Sequence, residues 1–131
     1  MDKTATIPAD LDTTWSAVID VFSERDWAID NMDKASGLIT TDWMRMEPRL
    51  ADIVADCGIN NGSFRTMVRF NVRVKPQGEA TSVTVNTAFR SVGGVVSPVD
   101  CTSRGGLERE IHRDLTKRVS KAPPATDAGV P

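Results

Sequence analysis

The feature that most constrains the fold is a strict alternation of side chains near the middle of the chain. Over residues 64–75, the positions that would share one strand face are Phe64, Thr66, Val68, Phe70, Val72 and Val74. The intervening positions are Arg65, Met67, Arg69, Asn71, Arg73 and Lys75. Successive side chains of a β-strand point to opposite faces, so a period of two residues indicates a strand. The stretch therefore predicts one buried and one solvated face, which is typical of an antiparallel sheet.

The alternation resumes after a turn, which predicts a long hairpin. Residues 76–79 read Pro-Gln-Gly-Glu, a run of residues that favour turns. The side chains expected on the inner face of the return strand are Thr81, Val83, Val85, Thr87 and Phe89. Two strands joined in this way pair antiparallel and share one apolar face.

A second hairpin is predicted upstream, with strands at 27–31 and 38–46. The turn between them contains Gly37, which can adopt a positive φ at no steric cost. In the second strand, the alternation predicts Ile39 and Trp43 in the core. The side chains expected on the outer face are Leu38, Thr40, Asp42, Met44 and Met46.

Two amphipathic helices flank these hairpins in the sequence. The first follows a short strand over residues 4–8 and is expected to start at Asp12 or Thr13 and end near Arg25. Its apolar stripe consists of Trp15, Val18, Ile19 and Phe22. The last helix is expected to start at Ser103, and its stripe consists of Leu107, Ile111, Leu115 and Val119.

The order β-α-β-β-β-β-α predicts an α+β fold, a two-layer sandwich in which an antiparallel sheet of about five strands carries both helices on one face. The chain has 131 residues, which suits a single domain over residues 1–121. Residues 122–131 are rich in Ala and Pro and are expected to form a disordered tail.

The state of two isolated cysteines would indicate the cellular compartment of the protein. Cys57 and Cys101 each lie beside turn residues, outside any C-x-x-C motif, which favours a disulfide between them over free thiols or a metal site. A disulfide would indicate the periplasm or the exterior, whereas free thiols would indicate the cytoplasm. The first residues lack a signal peptide, so a disulfide would further indicate an excised mature domain.

The outward side of the alternating strand is basic although the chain has a net charge of −2. The candidate docking face consists of Arg65, Met67, Arg69, Arg73 and Lys75. Such a row is either an ordinary solvated surface with ion pairs or a docking surface for an anionic partner. The last helix is the alternative contact surface. No aromatic side chain is expected on this face, which argues against nucleic-acid binding by base stacking.

Catalytic and metal-binding patterns are missing from the sequence. A Ser–His or Cys–His catalytic pair would require His112, which lies mid-helix beside the apolar stripe. Cys57, Cys101 and His112 lack a recognisable zinc-ligand spacing. The glycine pairs at 93–94 and 105–106 match no phosphate-binding loop. We therefore expect no enzyme activity, no cofactor and no metal.

The pattern resembles the BamC-like helix-grip domains of outer-membrane assembly lipoproteins. The residues that carry the resemblance are residues 15–22, Trp-Ser-Ala-Val-Ile-Asp-Val-Phe, then 27–29, Trp-Ala-Ile, and 37–43, Gly-Leu-Ile-Thr-Thr-Asp-Trp. The arginine-rich strand at 64–75 and the stretch 101–108 add to it. The resemblance covers about residues 5–120. The chain differs in having one such domain and no lipid-bearing cysteine at its start.

The resemblance implies a non-catalytic docking domain of a bacterial envelope lipoprotein, monomeric, in the periplasm or associated with the outer membrane. An envelope protein is the expected partner, and membrane association would require a native lipid anchor that this sequence lacks. The alternative function is a carrier that binds a small apolar ligand or lipid between helix and sheet. Large inner side chains such as Trp15, Phe22 and Phe70 argue against a cavity of that kind.

Overall fold

The computed structural model describes residues 3–46, 54–56, 65–92 and 99–121. The strands are β1 (Thr4–Ile7), β2 (Ile29–Asp33), β3 (Leu38–Thr41), β4 (Met44–Arg45), β5 (Ala55–Asp56), β6 (Arg65–Gln77), β7 (Ala80–Val92) and β8 (Val99–Ser103). The helices are α1 (Leu11–Glu24) and α2 (Gly106–Lys121). The fold is α+β, as the sequence predicts. Neither helix in these described ranges is both long and apolar enough to span a membrane.

The sheet contains eight strands in the described residues, so the prediction of about five is too low. Its order is β2-β3-β6-β7-β8-β5, while β1 also pairs with β7 and β4 also pairs with β6. Every pairing is antiparallel. The extra strands come from an interruption between β3 and β4 and from two short strands, β5 and β8, in segments to which the sequence analysis assigns no strand.

The β6–β7 hairpin is the centre of the sheet and matches the predicted alternation. It pairs in register from Arg65 opposite Val92 to Gln77 opposite Ala80. The inward side chains of β6 are buried, whereas those of Arg69, Asn71, Arg73 and Lys75 are exposed. Both helices cover the buried face, since α1 contacts β6 and β7 while α2 contacts β1 and β7.

A one-residue bulge separates β3 from β4. Because of it, the side chains after Thr41 lie on the face opposite to the one predicted. Thr40 lies opposite Asn71, but Met44 lies opposite Val68, so one extra residue is inserted between the two pairs. The insertion reverses the alternation beyond Thr41. Trp43 therefore lies on the outer face rather than in the core. Met46, predicted to face outward, is buried, and Met44 is partly buried against the core.

Both helices begin at residues other than those predicted. Asp10, rather than Asp12 or Thr13, is the N-cap of α1, and its Oδ1 accepts a hydrogen bond from Thr13 N at 2.8 Å. Ser103 ends strand β8 instead of capping α2. Its hydroxyl accepts a hydrogen bond from Gly105 N at 3.1 Å and donates one to Glu108 Oε2 at 2.7 Å.

Aromatic side chains fill the space between α1 and the sheet. The Phe22 ring lies edge-on to Trp27 and Phe70, with centroid distances of 5.4 and 5.7 Å. Trp27 and Phe70 are 4.5 Å apart, centroid to centroid. Ring pairs at these distances contribute about 0.5–1.5 kcal/mol each beyond their buried area. This cluster anchors the end of α1 to the middle of β6.

An ion-pair network joins the two helices and makes stability depend on pH. Asp114 Oδ2 contacts Arg25 Nη2 at 3.1 Å, and Asp114 Oδ1 contacts Arg118 Nε at 2.8 Å. Arg25 also contacts Glu110, and Arg118 contacts Glu24. Burial alone would raise the pKa of Asp114, but hydrogen bonds from Arg118 and Arg25 outweigh it and hold the pKa below its ordinary value.

We expect the stability that Asp114 contributes to be lost in acid. Because its pKa is depressed on folding, this contribution is complete well above pH 3.8, the ordinary value, and declines as the pH falls through and below it. Partial exposure limits it to about 1 kcal/mol. The difference in free energy of unfolding between wild type and Asp114→Asn, measured with urea, should be smaller at pH 3 than at pH 7. An undiminished difference at pH 3 would contradict this assignment.

Candidate functional site

The outer face of the sheet presents the basic row that the sequence singles out. Arg69, Arg73 and Lys75 are exposed, and Met67 is half-buried. Arg65 opens strand β6, but its side chain lies outside what the structure describes. Same-face neighbours along a strand are about 7 Å apart, so the row from 69 to 75 extends over about 20 Å. Both helices lie on the opposite side of the sheet.

Trp43 lies on this face between two guanidinium groups. The guanidinium carbon of Arg69 is 4.8 Å from the ring centroid, and that of Arg90 is 4.5 Å from it. Arg90 also approaches Asp100 at 3.7 Å. Cation–π contacts of this kind contribute about 0.5–1 kcal/mol each at exposed sites. They favour conformations in which Arg69 and Arg90 lie against the Trp43 ring.

Arg73 and Lys75 differ from Arg69 and Arg90 in that, among the described residues, they have no cation–π contact. Within the described residues, neither makes an ion pair. Arg45, opposite Met67 in β4, is also exposed on this side. The row therefore includes cations whose charge is available to a partner.

Sequence reasoning missed two members of this face, Trp43 and Arg45, for one reason. Both lie at or beyond the bulge between β3 and β4, where a strict alternation assigns each side chain to the wrong face. The sequence does contain a sign of the bulge. The apolar side chain before it has an odd residue number, 39, whereas those after it have even numbers, 44 and 46. Such a change within one strand is typical of a bulge.

The predicted disulfide stays a prediction, because Cys57 lies outside the described residues. Cys101 is half-buried in β8, opposite Phe89. Within the described residues, Asp56 of β5 lies opposite Thr102 of β8.

His112 lies in the middle of α2, half-buried, with Nε2 3.2 Å from the carbonyl oxygen of Val83. This contact ties the helix to β7. Among residues 3–46, 54–56, 65–92 and 99–121, no group of three or more His, Cys, Asp or Glu side chains is arranged to hold a metal ion.

Comparison with known families gives this geometry a context. A family model described as the N-terminal domain of an outer membrane protein assembly factor, BamC-like, matches residues 5–117. The chain belongs to the BamC-like family. The match takes in all eight strands apart from Thr4, the whole of α1 and most of α2, so the BamC-like domain and the described fold coincide. It confirms the resemblance inferred from the sequence. No curated protein matches the chain.

Proposed function

We propose that this BamC-like domain is a non-catalytic docking domain that takes part in outer-membrane protein assembly. The family description names an assembly factor, which supports a place on the periplasmic side of the outer membrane. The observation that carries the docking role is the outward row of Arg69, Arg73 and Lys75 on β6. An acidic surface on a protein partner is its natural complement, because opposite potentials steer association and fix register.

The shape of the face favours a protein partner over nucleic acid. Base-stacking sheets need free aromatic rings, and the Trp43 ring already contacts two guanidinium groups. An exposed sheet face that carries several cations suits the acidic surface of a folded protein. We further propose that residues 1–121 act as one monomeric unit and that Cys57 and Cys101 form a disulfide, as expected outside the cytoplasm.

The carrier alternative receives no support from the core. A ligand held between α1 and β6 would have to displace the Phe22, Trp27 and Phe70 cluster, whose rings are in contact. Opening such a space costs packing energy that a small ligand must first recover.

Charge reversal tests the docking role. The variant Arg73→Glu/Lys75→Glu should bind the purified outer-membrane assembly complex of the source organism at least about tenfold more weakly than wild type, with a weaker salt dependence. Its melting temperature should change little, since both side chains are exposed and unpaired among the described residues. Biolayer interferometry at two salt concentrations measures the affinity and its salt dependence.

The matched control is Arg113→Glu/Lys117→Glu, which makes the same change in net charge on the exposed side of α2. This control should bind like wild type. Equal weakening by both variants would mean that only net charge matters, and unchanged binding by the Arg73/Lys75 variant would remove the docking face from the proposal.

A further inference from the structure

A polar groove crosses the outer face beside the basic row. Its volume is about 500 Å³, and its floor is formed by Thr40, Asn71 and Asn86. These residues lie in register on three adjacent strands, because Thr40 is opposite Asn71 and Asn71 is opposite Asn86. Adjacent strands are about 4.8 Å apart, so the row spans roughly 10 Å. The groove thus offers a line of hydrogen-bonding groups running across the strands.

Two separate bulges bring carboxylates to the same groove. The register of β2 against β3 shifts between Ile29 and Asn31, which makes Asp30 the inserted residue. The second bulge, between β3 and β4, contains Asp42. Both carboxylates line the groove. Bulges often re-aim a side chain at a functional position, and two on neighbouring strands converge here.

The groove also contains a cation, Arg69, which lies on β6 across from the second bulge. Arg69 lines the groove and is held against the Trp43 ring at 4.8 Å. Asp42 Oδ1 accepts a hydrogen bond from Trp43 N at 2.7 Å, which positions its carboxylate beside the groove. Neither Asp30 nor Asp42 forms an ion pair with a described residue. Asp42 and Arg69 are therefore positioned before any ligand binds, which lowers the entropic cost of binding.

The presence of both carboxylates and a guanidinium group in the groove favours a neutral, polar ligand. An anion would meet Asp30 and Asp42, a cation would meet Arg69, and an apolar ligand would leave these groups without hydrogen-bond partners. A neutral ligand dense in hydroxyl groups satisfies all of them, because a hydroxyl both donates to carboxylates and accepts from guanidinium, and side-chain amides do both. Linked sugar rings place such groups in a row of this length.

We propose that this groove binds a neutral saccharide, with Asn71 and Asn86 as the floor and Asp30, Asp42 and Arg69 as the walls. The site goes beyond the docking role and uses different residues, apart from Arg69. Arg73 and Lys75 do not line the groove, so saccharide binding and protein docking can be separated by mutation.

Titration of the full chain with chitotetraose, and with maltotetraose as a second neutral saccharide, tests the proposal. Amide chemical-shift changes should appear at the groove residues and saturate in the millimolar range, as expected for one shallow polar site. Asn71→Ala/Asn86→Ala should weaken binding at least about fivefold, because two amides with several hydrogen bonds are lost. Both positions are exposed, so the melting temperature should be retained.

The matched control is Arg73→Glu/Lys75→Glu, which should bind saccharide like wild type even if it fails to bind the assembly complex. Shifts with neither saccharide, shifts that persist in the Asn71/Asn86 variant, or shifts produced only by a neutral peptide would each overturn the proposal. Loss of partner binding in the Arg73/Lys75 variant with intact saccharide binding would support both roles. Intact partner binding in that variant, again with intact saccharide binding, would reject the docking role and support the saccharide site.

Discussion

Replacing Gly37 with alanine is expected to lower the free energy of unfolding by about 3 kcal/mol or more. Gly37 has φ of +73°, a conformation that disfavours every residue with a Cβ. An added Cβ would lie 2.0 Å from the carbonyl oxygen of Val74, so the backbones of the β2–β3 turn and β6 would have to separate. That movement would strain the hydrogen bond from Val74 N to Gly37 O, now 2.7 Å long.

Gly78→Ala provides the matched control. Gly78 also has a positive φ, +63°, but a Cβ at this position would lie in open space, with no contact within 4 Å. The Gly78→Ala variant should lose only about 1 kcal/mol in free energy of unfolding, the cost of placing a residue with a Cβ at positive φ. The free energies of unfolding of the two variants are compared through their urea midpoints, provided that the m-value is the same for both. Equal losses would show that strain in φ, and not the contact with Val74, governs Gly37.

The hairpin of β6 and β7 could be predicted from sequence because a period of two covers residues 64–75 and 81–89, most of the two thirteen-residue strands. Strand β8 could not, since Val99–Ser103 has neither alternation nor length and adjoins a helix start. Its pairing with β7 is a tertiary effect, in which Phe89 lies opposite Cys101. A short edge segment gains strand structure from its neighbour rather than from its own propensity.

The residues of the candidate site also fall into those that the sequence pattern places correctly and those that it does not. Arg69, Arg73 and Lys75 were placed correctly on the outer face because they lie within the regular strand. Trp43 and the carboxylates of Asp30 and Asp42 were not brought together, because each depends on a bulge. A bulge is defined by two residues opposing one on a partner strand. That relation needs the partner's register, which a single strand's pattern does not contain.

Removing the buried carboxyl group of Glu108 is expected to lower the free energy of unfolding by about 3 kcal/mol. Glu108 is 0% exposed in the first turn of α2. Its Oε2 accepts hydrogen bonds from Thr87 Oγ1 at 2.8 Å and Ser103 Oγ at 2.7 Å. These contacts join the start of α2 to β7 and β8. Glu108→Met keeps the approximate volume but leaves two partly buried hydroxyls without their acceptor.

A double-mutant cycle distinguishes this role from simple packing. Thr87→Val alone removes one donor from a buried carboxyl group whose Oε1 already has no partner among the described residues, so it should cost about 1.5–3 kcal/mol. Added to Glu108→Met, the same change should cost much less, because the valine no longer faces an unsatisfied acceptor. The coupling measured by urea unfolding should therefore be about 1.5 kcal/mol or more. Additive losses would mean that Glu108 holds the helix through packing, and that the hydroxyl contacts from the sheet do not fix the start of α2.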